Sequence, residues 1–350
     1  MDRYRTVPVL LGMIAAIAVF TALYLSAVIF APVACALFII AIVWPMQRTL
    51  QSHLPQLLAL ALVVGVIVVV FILFASVVAW GFGRIARSLI SDAPRFQMLY
   101  DQAALWLEGH GIVVAGIWAE HFNMRWAVGM LQGLTARLNT MISFWLVVLV
   151  YVLLGLLEVA PVSRKIGLVM TTETARVLID GCSLTAAKLR RYLLIRTIMS
   201  IATGAMVWVL ALAFGLQFAA EWGVIAFTLN YIPFIGPFIA TLLPTLYALA
   251  QFESLQSALF VFACLNVIQF VIGSYIEPRV AGNALAVSPF VVLLSVFLWT
   301  FLWGLFGSFI GVPITIAVLT FCEQSPATRW LADLQSASGY RAKEKRRESL

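Results

Sequence analysis

Apolar runs of bilayer length recur along this chain, and nothing else in it constrains the fold as tightly. A helix needs about 20 mostly apolar residues to cross the hydrocarbon of a membrane. Runs of that order are Val7–Leu25, Ala27–Trp44, Gln56–Trp80, Thr140–Leu157, Thr197–Leu216, Trp222–Ala250, Leu255–Tyr275 and Pro289–Thr320. The chain is 63% hydrophobic and 11% charged, where soluble domains are about a quarter charged. In hydrocarbon every backbone donor and acceptor must be paired inside the protein, which leaves helices or closed barrels. The expectation is an all-α, polytopic helical membrane protein with about eight transmembrane segments.

Arg3 and Arg5 precede the first run and mimic a signal peptide. The run is longer than the 7–15 residues of a signal core, so it reads as an uncleaved span. The chain then divides by character. Residues 1–80 hold spans one to three, with span two ending at Pro45. In 81–138 charged residues mix with apolar ones that recur at three and four, such as Leu99, Ala103, Trp106 and Leu107. That period predicts an extracytoplasmic amphipathic segment of two helices joined near Gly109-His110-Gly111. Residues 139–320 hold span four, stopping near Pro161, then a cytoplasmic amphipathic helix to Arg196 and a C-terminal transmembrane core. Residues 321–350 form a basic tail able to touch anionic lipid. Of 22 lysines and arginines, 16 lie in 1–7, 44–56, 160–196 and 321–350, and 6 in 81–138 and 276–288. Basic loops stay in the cytoplasm, so both termini are placed there. The net charge of +7 is accounted for in this way, and no nucleic-acid partner is implied.

The broken places carry the functional reading. In Asn230-Tyr-Ile-Pro233-Phe-Ile-Gly236-Pro237 two prolines remove donors and push on the preceding turn, and Gly236 is free to take unusual backbone angles. A helix broken in hydrocarbon must be packed in protein or line a wet cavity, and transporter sites tend to lie at such breaks. The alternative is a kink that only shapes packing. In the last run Gly304, Gly307, Gly311 and Pro313 predict a second break or a re-entrant bend; the same glycines also suit close helix packing. Phe309-Ile-Gly311-Val-Pro313 faintly echoes Phe234-Ile-Gly236-Pro237. Span seven carries Asn266, Gln269, Gly273, Ser274 and Glu277 on one helical face, closed by Glu277-Pro278-Arg279. A polar stripe in a bilayer faces a cavity or a polar partner. The candidate pathway is therefore Asn230, Pro233, Gly236, Pro237, Asn266, Gln269, Glu277, Arg279, Gly307, Gly311 and Pro313. Glu277 is the acid of the stripe. Arg279 either pairs with it or faces lipid headgroups.

Catalytic signatures are missing. Cys35, Cys182, Cys264 and Cys322 show no paired spacing, and His53, His110 and His121 do not cluster, so neither a disulfide framework nor a metal site is expected. The sequence has no nucleotide-binding glycine loop and no GxSxG. Neither an enzyme nor a cofactor is implied.

Three motifs carry a resemblance. They are Asn230-Tyr-Ile-Pro233-Phe-Ile-Gly236-Pro237, then Glu277-Pro278-Arg279-Val-Ala-Gly282 with Ser288-Pro289, then Phe306-Gly307-Ser-Phe-Ile-Gly311-Val-Pro313. With Arg190-Arg191-Tyr192 ahead of span five, the chain resembles the AI-2E family of bacterial permeases, also called the PerM family, most strongly over about residues 185–320. The resemblance implies a multi-pass bacterial inner-membrane protein. Members are associated with export of autoinducer-2, a quorum signal, and some with sodium–proton exchange. Three functions follow as expectations. The first is a permease or exporter of a small polar solute. The second is a cation–proton antiporter, for which Glu277 and Glu158 are the candidate carboxylates. The third is a non-transporting scaffold acting through the tail and 81–138. The expected partners are a small-molecule or ion substrate and membrane lipids, and a ring-like homo-oligomer suits so compact a bundle.

Overall fold

The computed structural model describes residues 3–91, 98, 105, 108–109, 124–170, 172–281, 287–324 and 328–329. The regular elements among them are helical: α1 (Arg3–Leu25), α2 (Ala27–Gln51), α3 (Gln56–Ser91), α4 (Met124–Val169), α5 (Thr172–Ala213), α6 (Ala219–Leu229), α7 (Ile235–Phe252), α8 (Leu255–Phe270), a wide π-helical turn (Val271–Ile276), α9 (Glu277–Ala281) and α10 (Pro289–Gln324). Among the described residues seven helices are long and apolar enough to cross a membrane, and Leu10–Leu25 and Ala219–Leu229 are shorter apolar helices. Large apolar side chains such as Leu57, Val70, Phe270 and Phe301 stand exposed on them, as they do where the solvent is lipid.

Several expected stops are not stops. α2 runs through Pro32 and Pro45, and α4 through Pro161. A proline removes one hydrogen bond, and a helix held by its neighbours absorbs that loss. α3 continues past Trp80 to Ser91, and α4 begins at Met124, so 81–91 and 124–138 extend membrane helices. His110 and Gly111 of the expected junction, and the basic tail beyond 329, fall outside the described residues.

The chain forms two compact units, and α3, α4 and α5 contribute to both. The first comprises residues 1–65, 144–193 and 282–350. Its centre is α10, which is not one straight helix. Trp303 (φ −130°, ψ 15°) and Gly304 (φ 63°, ψ −143°) are non-helical. The angles at Gly304 belong to a region essentially closed to other residues. The limbs on either side fold back on each other, because the Ser295 and Thr315 hydroxyls lie 2.6 Å apart across 20 residues of sequence. A straight helix would separate them by about 30 Å. The bend expected in this run is therefore a hairpin with its tip at 303–304. Phe301 stacks on Tyr24, Trp303 donates from Nε1 to the Leu23 carbonyl at 3.1 Å, and Phe306 stacks on Phe144.

The second unit comprises residues 66–143 and 194–281. Here α6 and α7 form the other hairpin. Its open end is tied by Tyr247, which donates to the Gln217 side chain at 3.0 Å, and by Gln251, which accepts from the Gln217 amide at 2.9 Å. α6 crosses α5 at Gly204 and Gly223. A Cβ on either would come within 2.8 Å of the other's carbonyl oxygen, so the backbones approach as closely as helices can. On α8 the buried line is Ala258, Val261, Leu265, Ile268 and then Ile272, spaced by three and four.

Candidate functional site

The tip of the α6–α7 hairpin is built from the expected stretch, with the strain two residues before its expected place. Gly236 lies in α7 and keeps ordinary helical angles; the positive φ is at Phe234 (φ 64°, ψ −55°). The Ile235 amide donates to the Pro233 carbonyl at 2.7 Å. This is the strained form of γ-turn. Gly236 is needed for space: a Cβ there would lie 1.8 Å from the Leu229 carbonyl oxygen. Pro237 sits in the first turn of α7, where its missing N–H is not needed. Phe234→Gly should raise stability by about 1 kcal/mol, the strain relieved less the added chain entropy. Thermal melting checks this; a lower melting temperature would mean that the ring's contacts outweigh the strain.

Around this tip, α5 supplies a polar edge. Asn230, buried at the end of α6, donates from Nδ2 to the Ser200 hydroxyl at 3.3 Å. Tyr231 donates to the Thr197 hydroxyl at 3.1 Å. One residue before Thr197, the buried Arg196 reaches Glu277 with N–O distances of 3.1 and 3.2 Å. Six side chains from α5, the hairpin tip and the start of α9 thus gather within the second unit.

The span-seven stripe comes apart. Asn266 is exposed and donates to the Phe262 carbonyl of its own helix at 2.8 Å. Gln269 has a buried Nε2 without a partner among the described residues. The π-turn explains the rest. The Glu277 amide bonds five residues back to the Ile272 carbonyl, which inserts a residue relative to an α-helix and turns Glu277 off the Asn266–Gln269 line. Pro278 follows at once, and its ring presses on the preceding turn, which the wider turn accommodates. Arg279 does not pair with Glu277; its guanidinium stacks 3.5 Å over the Tyr275 ring. Glu277 therefore meets α5 at Arg196, the last residue of the basic 160–196 segment.

Gly307, Gly311 and Pro313 lie in the first unit, in the α10 hairpin. Gly307 repeats the role of Gly236: a Cβ there would meet the Trp299 carbonyl oxygen at 1.7 Å. The sequence echo is therefore out of register, since Gly311 faces the Trp299 side chain and Pro313 continues a helix without breaking it.

One acid was missed. Glu221 is 3% exposed in the first turn of α6 and pairs with Arg84 at 2.6 Å. Arg84, 52% exposed, lies between the Trp80 and Phe218 rings at 6.0 and 5.9 Å. The signal available was an arginine and an acid each abutting an apolar run. Glu158, the other carboxylate named from sequence, is exposed.

Long apolar helices, two re-entrant hairpins and ion pairs at helix breaks define a multi-pass membrane transporter of the broken-helix kind. Residues 13–327 match the sequence profile of the AI-2E family transporter. The chain is 30% identical over 330 residues to the AI-2 transport protein TqsA of Escherichia coli (strain K12), covering 94% of each. It is 27% identical over 338 residues to a putative transport protein of Haemophilus influenzae, covering 94% of this chain and 95% of the relative. It is 33% identical over 201 residues to the putative transport protein YhhT of Escherichia coli (strain K12), covering 57% and 56%. The chain belongs to the AI-2E transporter family.

Proposed function

We propose that this permease exports a small polar solute across a bacterial inner membrane, with both termini in the cytoplasm. The observation that carries the reading is the gathering of Asn230, Tyr231, Arg196, Thr197, Ser200 and Glu277 at the strained tip of a re-entrant hairpin. Intramembrane polar clusters at broken helices are where transporters hold their cargo. Autoinducer-2 is the first solute to try, because the relative TqsA is named for its transport. The placement of the termini rests on the basic bias.

A second reading, cation–proton exchange, rests on Glu277. A carboxylate paired with one arginine can trade that partner for a proton or a sodium ion. The experiment uses purified protein in sealed liposomes under an imposed proton gradient. Autoinducer-2 efflux without sodium dependence supports the exporter, and sodium-driven proton movement supports the exchanger. Glu277→Gln should lower flux at least tenfold and flatten its dependence on pH. Unchanged flux at every pH removes Glu277 from the coupling step.

A further inference from the structure

The first unit holds a polar pair that nothing so far uses. Gln47 in α2 is 0% exposed, and neither its Nε2 nor its Oε1 has a hydrogen-bond partner among the described residues. Thr185 in α5 is 7% exposed, and its hydroxyl is in the same position. A buried amide or hydroxyl left unpaired is costly, and a leucine or valine would fill either place without that cost.

The two lie on neighbouring helices joined by a side-chain contact. α2 starts beside Tyr24, which stacks on Phe301 at the α10 tip, so α2 runs away from that tip. α5 starts at the opposite end. There Phe321, near the end of α10, covers Gly181, and Lys188 pairs with Glu323 at 2.7 Å. The two helices are therefore antiparallel. Arg190 of α5 donates to the Ala41 carbonyl of α2 at 2.8 Å, which fixes their register. From that contact Gln47 lies six residues further along α2 and Thr185 five residues back along α5. At about 1.5 Å per residue both lie on the same side of the contact, Gln47 about 9 Å along α2 and Thr185 roughly 8 Å along α5.

Of the cations on α5 here, Lys188 pairs with Glu323 and Arg190 donates to a backbone carbonyl. What stands open is neutral: two donors and an acceptor on Gln47, and one of each kind on Thr185. We propose that Gln47 and Thr185 form a solute-contacting station of the transport path, closed in this conformation, which takes a small neutral solute that both donates and accepts hydrogen bonds. The station rests on the permease reading given above. A bare cation fits it poorly, because two neutral oxygens are far fewer than a hard cation takes.

The test has two arms on the full-length protein. In the first, Gln47→Leu and Thr185→Val are purified and reconstituted. Each should melt about 2 °C or more above the parent, since an unpaired buried group is removed, while autoinducer-2 efflux falls at least tenfold. Parent-like efflux from both variants would make the pair a packing defect and overturn the proposal. So would lower melting temperatures, which would mean that the groups are satisfied and structural. In the second arm Cys35, Cys182, Cys264 and Cys322 are replaced, and Gln47→Cys is exposed in membranes to a permeant maleimide, with Thr185→Cys as the alternative position. Labelling within about tenfold of the exposed control Ser52→Cys is expected, because the station must open to solute during the cycle. A position that stays unlabelled in folded protein while the control reacts would overturn the proposal. If the parent moves no autoinducer-2, the export reading fails on its own, and the labelling arm still decides for or against the station.

Discussion

Gly236→Ala and Gly307→Ala should each cost more than about 3 kcal/mol, enough to leave little folded protein after extraction. The cause is geometric. The added carbon would lie 1.8 Å from the Leu229 oxygen in one hairpin and 1.7 Å from the Trp299 oxygen in the other. Backbone, unlike the end of a flexible side chain, cannot swing aside, so the limbs must part and expose the turn between them. Two controls grade the effect. Gly311→Ala meets only the Trp299 side chain at 3.0 Å and Ser295 O at 3.1 Å and should lose far less. Gly273→Ala has nothing within 4 Å and should be neutral or slightly stabilising. Size-exclusion profiles and melting temperatures of the four proteins check the order. A Gly236→Ala protein that melts with Gly273→Ala would refute the closed hairpin.

Arg84→Met should cost about 3 kcal/mol, the low end for breaking a buried pair, because Arg84 is itself half exposed. The loss comes from what remains. Glu221 is almost fully buried, and without the guanidinium its carboxylate has no charge to face. Glu221→Gln alone removes the charge instead and should cost less. The double variant Arg84→Met/Glu221→Gln should recover most of the loss, and melting of the four-member cycle measures the coupling directly. Equal losses from all three variants would mean that packing of Trp80 and Phe218 against Arg84, and not the charge, holds this end of α3 to α6.

The sequence made the membrane helices and the break at 230–237 legible, because apolar length and paired prolines act locally. It misled where neighbours override local preference. Pro45 and Pro161 look like stops, yet packed helices carry them through. The strain at the tip sits on Phe234, since the nearby glycine is spent on closeness between limbs, a contact between residues seven apart that no local rule reads. The stripe on span seven assumed an unbroken 100° step, and the π-turn ahead of Pro278 breaks it. Arg196, Thr197 and Ser200 looked like the unremarkable start of a span. Their role follows from the antiparallel crossing at Gly204 and Gly223, which brings Asn230 and Tyr231 beside them. Glu221 was hidden for the same reason, its partner lying 137 residues away.

The hairpins also bear on the parity of the chain. A straight span carries the backbone to the other face of the bilayer, but a hairpin hands it back to the face it left. Gln217 and Gln251, at the two feet of one hairpin, touch each other, so tags placed at either foot report the same side. A count that assigns one crossing to every apolar run inverts the loop that follows the first hairpin. The second hairpin makes the same error in the opposite sense. Over a whole count the two errors cancel, and only the connections between the two hairpins change side.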